Sequence, residues 1–84
     1  MKVRVTITPK QGILDPQGVA VERALPALGF QGVTDVRIGK HIELRYDPPG
    51  SVSTEQVQSD VDDMCRRLLA NPIIEDYTFE LDEG

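Results

Sequence analysis

The sequence predicts an α+β fold: an antiparallel sheet with two helices on one face, in the order strand, helix, long bent strand, helix, strand. Three observations predict it. Val3-Val5-Ile7 near one end of the chain and Tyr77-Phe79-Leu81 near the other alternate with polar residues, as strands buried on one face do. Two intervening segments open with helix start signals and continue with apolar residues three and four apart. Between those segments, Thr34 to Asp47 keeps its apolar residues at even positions for longer than an ordinary strand.

The first strand carries Lys2, Arg4 and Thr6 on its polar face and ends at Pro9. In the first helix Asp15 suits the N-cap and Pro16 the first helical position, where its missing N–H costs nothing. Val21, Leu25 and Leu28 form the expected inward stripe, with Ala24 beside them and Gly29 as the C-terminal cap. Pro26 removes a backbone hydrogen bond, so the helix should be short with an irregular end. After the turn DPPGS, Ser53 and Gln56 read as a capping box for a second helix, with Val57, Val61, Met64, Cys65 and Leu68 on its inner face. Asn71-Pro72 stops that helix, the last strand follows, and an acidic DEG tail closes the chain. First and last strands should be antiparallel neighbours, with Lys2 and Arg4 facing Asp76 and Glu80.

The stretch DVRIGKHIELRYDPPG decides the topology. A two-residue turn at Gly39-Lys40 would set Ile38 opposite His41 and Val36 opposite Glu43, mixing apolar with polar. Running through, Val36, Ile38, Ile42, Leu44 and Tyr46 share one face and Asp35, Arg37, His41, Glu43 and Arg45 the other, with only Lys40 out of phase. The expectation is one strand bent at Gly39, on the order of 40 Å long, half of it without cover. A three-residue loop at 39–41 would instead make a ferredoxin-like βαββαβ arrangement.

At 84 residues the chain is expected to be one domain, 1–84, with a thin core that raises the value of docking to a like or unlike partner. A net charge of −5 with no dense basic patch argues against nucleic acid, and no apolar run reaches the length of a membrane span. The N-terminus lacks the apolar stretch of a signal peptide, and a single Cys65 makes no internal disulfide, so a cytoplasmic protein is expected. Catalytic sets are missing. His41 is the sole histidine, Cys65 lies on a buried stripe, Asp60, Asp62 and Asp63 read as a solvated helix face, and the glycines form no phosphate loop. No catalytic, cofactor-binding or metal-ligating residue is therefore expected in this chain.

Three stretches, LDPQGVAVERAL (14–25), DVRIGKHIEL (35–44) and MCRRLLANPIIEDY (64–77), resemble in order and spacing the small subunit of phosphoribosylformylglycinamidine synthase, the PurS family. Pro26, His41 and the DPPGS turn depart from the family pattern. The resemblance implies a non-catalytic subunit in de novo purine synthesis. It would form a homodimer, or a dimer of such dimers, and contact a glutaminase subunit and a large synthetase subunit that uses ATP and Mg. It would assist ammonia transfer between them. On this reading Val36, Ile38, Gly39, Ile42 and Leu44 are expected at the dimer interface, where long strands pair across a two-fold axis. Arg37, Lys40, His41, Asp76 and Tyr77 are expected to contact partners. The alternative is a free-standing dimeric module that binds a small regulatory molecule.

Overall fold

A computed structural model describes residues 1–82; Glu83 and Gly84 of the expected acidic tail lie outside the described residues. Strands β1 (Lys2–Pro9), β2 (Lys40–Arg45) and β3 (Glu75–Asp82) and helices α1 (Pro16–Ala24) and α2 (Thr54–Met64) follow the predicted order. β1 is central, antiparallel to β2 on one side and β3 on the other. The register makes apolar rows across the sheet: Val3 lies between Leu44 and Leu81, and Val5 between Ile42 and Phe79. On the outer face, Arg4 reaches Glu80 at 2.9 Å and Asp82 at 3.1 Å. Arg4 thus faces Glu80 as expected, whereas Lys2 stands opposite Asp82 and 3.8 Å from Glu43, and Asp76, opposite Thr8, is taken by Lys10, so Lys2 does not face Asp76.

α2 covers this sheet. Val57, Val61 and Cys65 are buried on Val3, Val5 and Ile7, with Ile42, Leu44, Tyr46, Tyr77, Phe79 and Leu81 packed around them. Ser53 caps the helix as predicted, its hydroxyl accepting from the Gln56 amide at 3.1 Å. Beyond Met64 the helix does not continue in the expected phase. Cys65–Leu69 is a π-helical turn, closed by the Ala70 amide donating to the Cys65 carbonyl at 2.9 Å. The widened turn brings Leu69 to the core and swings Leu68 into solvent, where it is 84% exposed. This corrects the predicted inward position of Leu68.

Burial, followed by the nearby Asp62 carboxylate, pushes the Cys65 thiol up, which agrees with a packing role. Two phenols tie the sheet margins to α2: Tyr46 donates to Asp60 at 2.8 Å and Tyr77 to Asp62 at 2.7 Å. Those carboxylates raise both phenol pKa values. The acids read as a solvated face are thus partly structural.

Two expectations about the other half of the chain need correction. β2 begins only at Lys40, so the residues from Thr34 to Gly39 form no ladder within one molecule. β1, the only strand beside β2 among the described residues, reaches no further: Ile7 pairs with Lys40, and then Pro9 ends the strand with no N–H to give. No hairpin forms at Gly39-Lys40. The inward stripe of α1 is also uncovered: no α1 residue joins the core, and Val21 and Leu28 are exposed. As predicted, α1 is short, and Pro26–Leu28 tightens into a 3-10 turn ending at Gly29 with φ 96°. The molecule measures 55 × 28 × 14 Å, with a radius of gyration of 16.7 Å against roughly 12 Å for a compact domain of this length.

Candidate functional site

The sequence segment 13–38 forms a lobe at the end of the sheet, held together by an unusual set of contacts. Asp15 occupies the N-cap position of α1 with extended backbone, yet its carboxylate makes no capping bond of good geometry and accepts from the Ile38 amide at 2.7 Å. About two helical turns further on, Glu22 accepts from the Asp35 amide at 2.6 Å. Between them Gly18 is buried against the Val36 carbonyl, so closely that a Cβ would stand under 3.0 Å from its oxygen. Helix and segment meet backbone to backbone.

Asp15 is held below the usual carboxylate range chiefly by the Ile38 amide, with lesser help from Gly18 and Gln17. Glu43, beside His41 and then Lys2, and Asp47, beside the N-terminal ammonium, are lowered likewise. Each is lower in the folded than in the unfolded chain. Their stabilisation is therefore complete above the unfolded values, 3.8 for Asp and 4.5 for Glu, and disappears as pH falls through the folded ones. The expected result is a melting temperature that declines as pH falls below about 4.5, where these acids take up protons in the unfolded chain before they do so in the folded one. The gap between the native chain and Asp15→Asn should be present at pH 7 and close in acid, as read by thermal melts across that range.

The expected interface residues fall into two groups. Ile42 and Leu44 are half-buried on the core, and Val36 and Ile38 lie in the lobe. Gly39 joins them, pressed on the Ile7 carbonyl. The expected partner-contact residues are engaged internally. Arg37 donates to the Pro9 carbonyl at 3.1 Å, Lys40 lies 4.0 Å from Glu75 and His41 3.1 Å from Glu43. Asp76 holds Lys10 at 2.6 Å and Tyr77 bonds Asp62. Sequence reasoning missed Gly18 and Glu22, although a glycine inside a helix is itself a signal of close packing.

A groove of about 340 Å³ lies in the lobe, its lining including the apolar Ile13, Val19 and Val36 and the charged Asp15, Glu22 and Arg37. These charged side chains are committed to backbone amides and a carbonyl, and the lining gathers no nucleophile with a base. Among the described residues no cluster of histidine, cysteine and carboxylates is arranged to hold a metal ion, and no helix is long and apolar enough to cross a membrane. What the lobe offers is apolar surface: Leu14 at 79% exposure, Leu28 at 71% and Phe30 at 58%, with Ile13, Val33 and Ile38 beside them in the sequence segment.

The sequence profile of PurS, phosphoribosylformylglycinamidine (FGAM) synthase, matches residues 2–83. The chain belongs to the PurS family. The FGAM synthase subunit PurS of Bacillus subtilis is 44% identical over 82 residues, spanning 98% of this chain and 93% of that protein. The PurS subunit of Synechocystis is 45% identical over 78 residues, covering 93% of this chain and 75% of its own length. In three dimensions the B. subtilis PurS structure superimposes with a TM-score of 0.78, at 43% identity over 98% of each chain. A chain in the structure of PurLQS from Thermotoga maritima gives 0.71 at 27% identity, covering 94% of this chain and 93% of that one. These PurS structures bear out the α+β fold, and the reading as a non-catalytic FGAM synthase subunit in purine biosynthesis holds with them.

Proposed function

We propose that this PurS chain works as a homodimer that bridges a glutaminase subunit and a large synthetase subunit of FGAM synthase in the cytoplasm. The chain itself binds no cofactor; ATP and Mg act in the large subunit. There formylglycinamide ribonucleotide and ammonia, released from glutamine by hydrolysis, give FGAM as ATP goes to ADP and phosphate. A rigid adapter contributes by holding the ammonia source and the acceptor in one closed assembly, where ammonia is less exposed to loss.

The single observation that supports self-association is the lobe with its exposed Leu14, Leu28 and Phe30, next in the chain to β2, an edge strand of the sheet among the described residues. A second copy that docks there gains both apolar burial and, through residues 36–39 and β2, backbone pairing. A two-fold arrangement supplies the same gain twice.

Sizing of the purified chain together with reconstituted, glutamine-dependent amidation tests this. A dimer at micromolar concentration, and a rise in amidation when the chain is added to both larger subunits, are expected. Ile38→Asp should weaken self-association at least tenfold, and more than Val19→Asp does, because Val19 faces the groove within one molecule. A monomeric native chain, or amidation that proceeds equally without it, overturns the proposal.

A further inference from the structure

We infer that two copies of this chain pair antiparallel along residues 36–44 in one register, with the two-fold axis at Lys40. Val36 then stands opposite the partner's Leu44, Arg37 opposite the partner's Glu43, Ile38 opposite the partner's Ile42 and Gly39 opposite the partner's His41. This rests on the functional reading above and adds to it which residues meet.

The backbone leaves few registers open. Tyr46 exchanges both bonds with Met1, its amide donating to the Met1 carbonyl at 2.8 Å and its carbonyl accepting from the Met1 nitrogen at 3.2 Å. Main-chain groups of the even residues of β2 therefore point to β1, and those of the odd residues point away from it. The bend at Gly39 keeps this phase. The Ile38 amide turns to Asp15 of its own molecule at 2.7 Å, and the Val36 carbonyl lies against Gly18. Arg37, Gly39, His41 and Glu43 thus aim their main-chain groups along one edge that continues from the lobe into β2. On that edge a hydrogen-bonded pair joins odd to odd, side chains meet even to even, and a slip of one residue is excluded.

Side chains select among the registers that remain. With the axis at Lys40, the row Phe79-Val5-Ile42 runs on into the partner's Ile38, and the row Leu81-Val3-Leu44 into the partner's Val36. Each lobe then caps the other molecule's sheet and covers Ile38, which is 39% exposed in one molecule. An axis at Gly39 sets Ile38 against the partner's Lys40. An axis at His41 sets Ile42 against the partner's Lys40 and Arg37 against the partner's Arg45, and an axis at Ile42 sets Leu44 against the partner's Lys40. Arg37 and Glu43 are bonded within their own molecule, so charge serves here to reject registers and not to supply affinity. The favoured register brings the two Lys40 residues together, each 4.0 Å from Glu75 of its own chain.

The test is mild oxidation of the full-length chain carrying one added cysteine, read as covalent dimer on non-reducing gels. The native chain, whose Cys65 is buried, sets the background. In this register Lys40→Cys brings two copies of the same position to a Cα separation of about 4.5 Å, within the span of a disulfide. It should cross-link at least tenfold faster than Ile38→Cys, His41→Cys or Ile42→Cys. Ile38→Cys combined with Ile42→Cys in one chain should cross-link as Lys40→Cys does, and it carries the test if Lys40→Cys alone fails to dimerise. Fastest cross-linking by Ile38→Cys, His41→Cys or Ile42→Cys alone moves the axis and overturns the register. A native dimer in which no variant cross-links above background places the contact elsewhere and overturns it too. A native chain that sizes as a monomer removes the functional reading together with this inference.

Discussion

Gly39→Ala should lower the melting temperature by roughly 10 to 25 °C, the largest single-residue effect expected outside the core. Gly39 sits where the chain enters β2, and a Cβ there would lie under 3.0 Å from the carbonyl oxygen of Ile7. The obstacle is backbone of the central strand, which is buried and paired on both sides, so it cannot give way as a flexible side chain would. Overpacking costs about 1 to 3 kcal/mol, and a clash with an immobile carbonyl belongs at the upper end. At 4 to 8 °C for each kcal/mol in a domain of this size, that cost yields the shift stated. Thermal denaturation by circular dichroism measures it. A change under about 3 °C would show that β1 and the strand entrance yield to each other, and that the close approach is incidental.

Gly18→Ala should loosen self-association at least tenfold while the sheet and α2 stay folded. In an ordinary helix the substitution stabilises by about 1 kcal/mol, because alanine is the better helix former. Here the added methyl meets the Val36 carbonyl and drives α1 off residues 35–38, taking with it the bonds from Asp15 to Ile38 and from Glu22 to Asp35. Since α1 contributes nothing to the core cluster, the damage should stay in the lobe. Size-exclusion chromatography alongside tyrosine-monitored melting separates the two effects. An intact dimer with a raised melting temperature, the usual outcome of glycine to alanine in a helix, would mean the clasp is dispensable.

The elements that the sequence made legible are those whose cause is local. Alternation at Val3-Val5-Ile7 and Tyr77-Phe79-Leu81 placed two strands, and Ser53 with Gln56 placed the start of α2, because pleat and cap act over two or three residues. The even-numbered face of the long strand was legible too, and Ile42 and Leu44 do face the core. Its length was not. Periodicity reports which side of a strand is apolar, while ladder length depends on the neighbour, and β1 stops at Pro9. The α1 stripe failed for a related reason: Val21 and Leu28 do form an apolar face, but spacing carries no information about which surface covers it. Leu68 was misplaced because one extra residue in a helical turn resets the phase of everything after it, and nothing in CRRLL marks that turn in advance. At the lobe, Asp15 was identified as a helix start, and its longer reach to the Ile38 amide emerged only when distant backbone came alongside.

The two phenols that strap the sheet margins to α2 are the chain's only tyrosines, and it holds no tryptophan. Its native tyrosine emission therefore originates wholly in one half of the molecule. Tyrosine light from the unlabelled protein reads the docking of α2 and not the packing of α1, so the compact half carries its own reporter while the extended half is open to a dye of the experimenter's choosing.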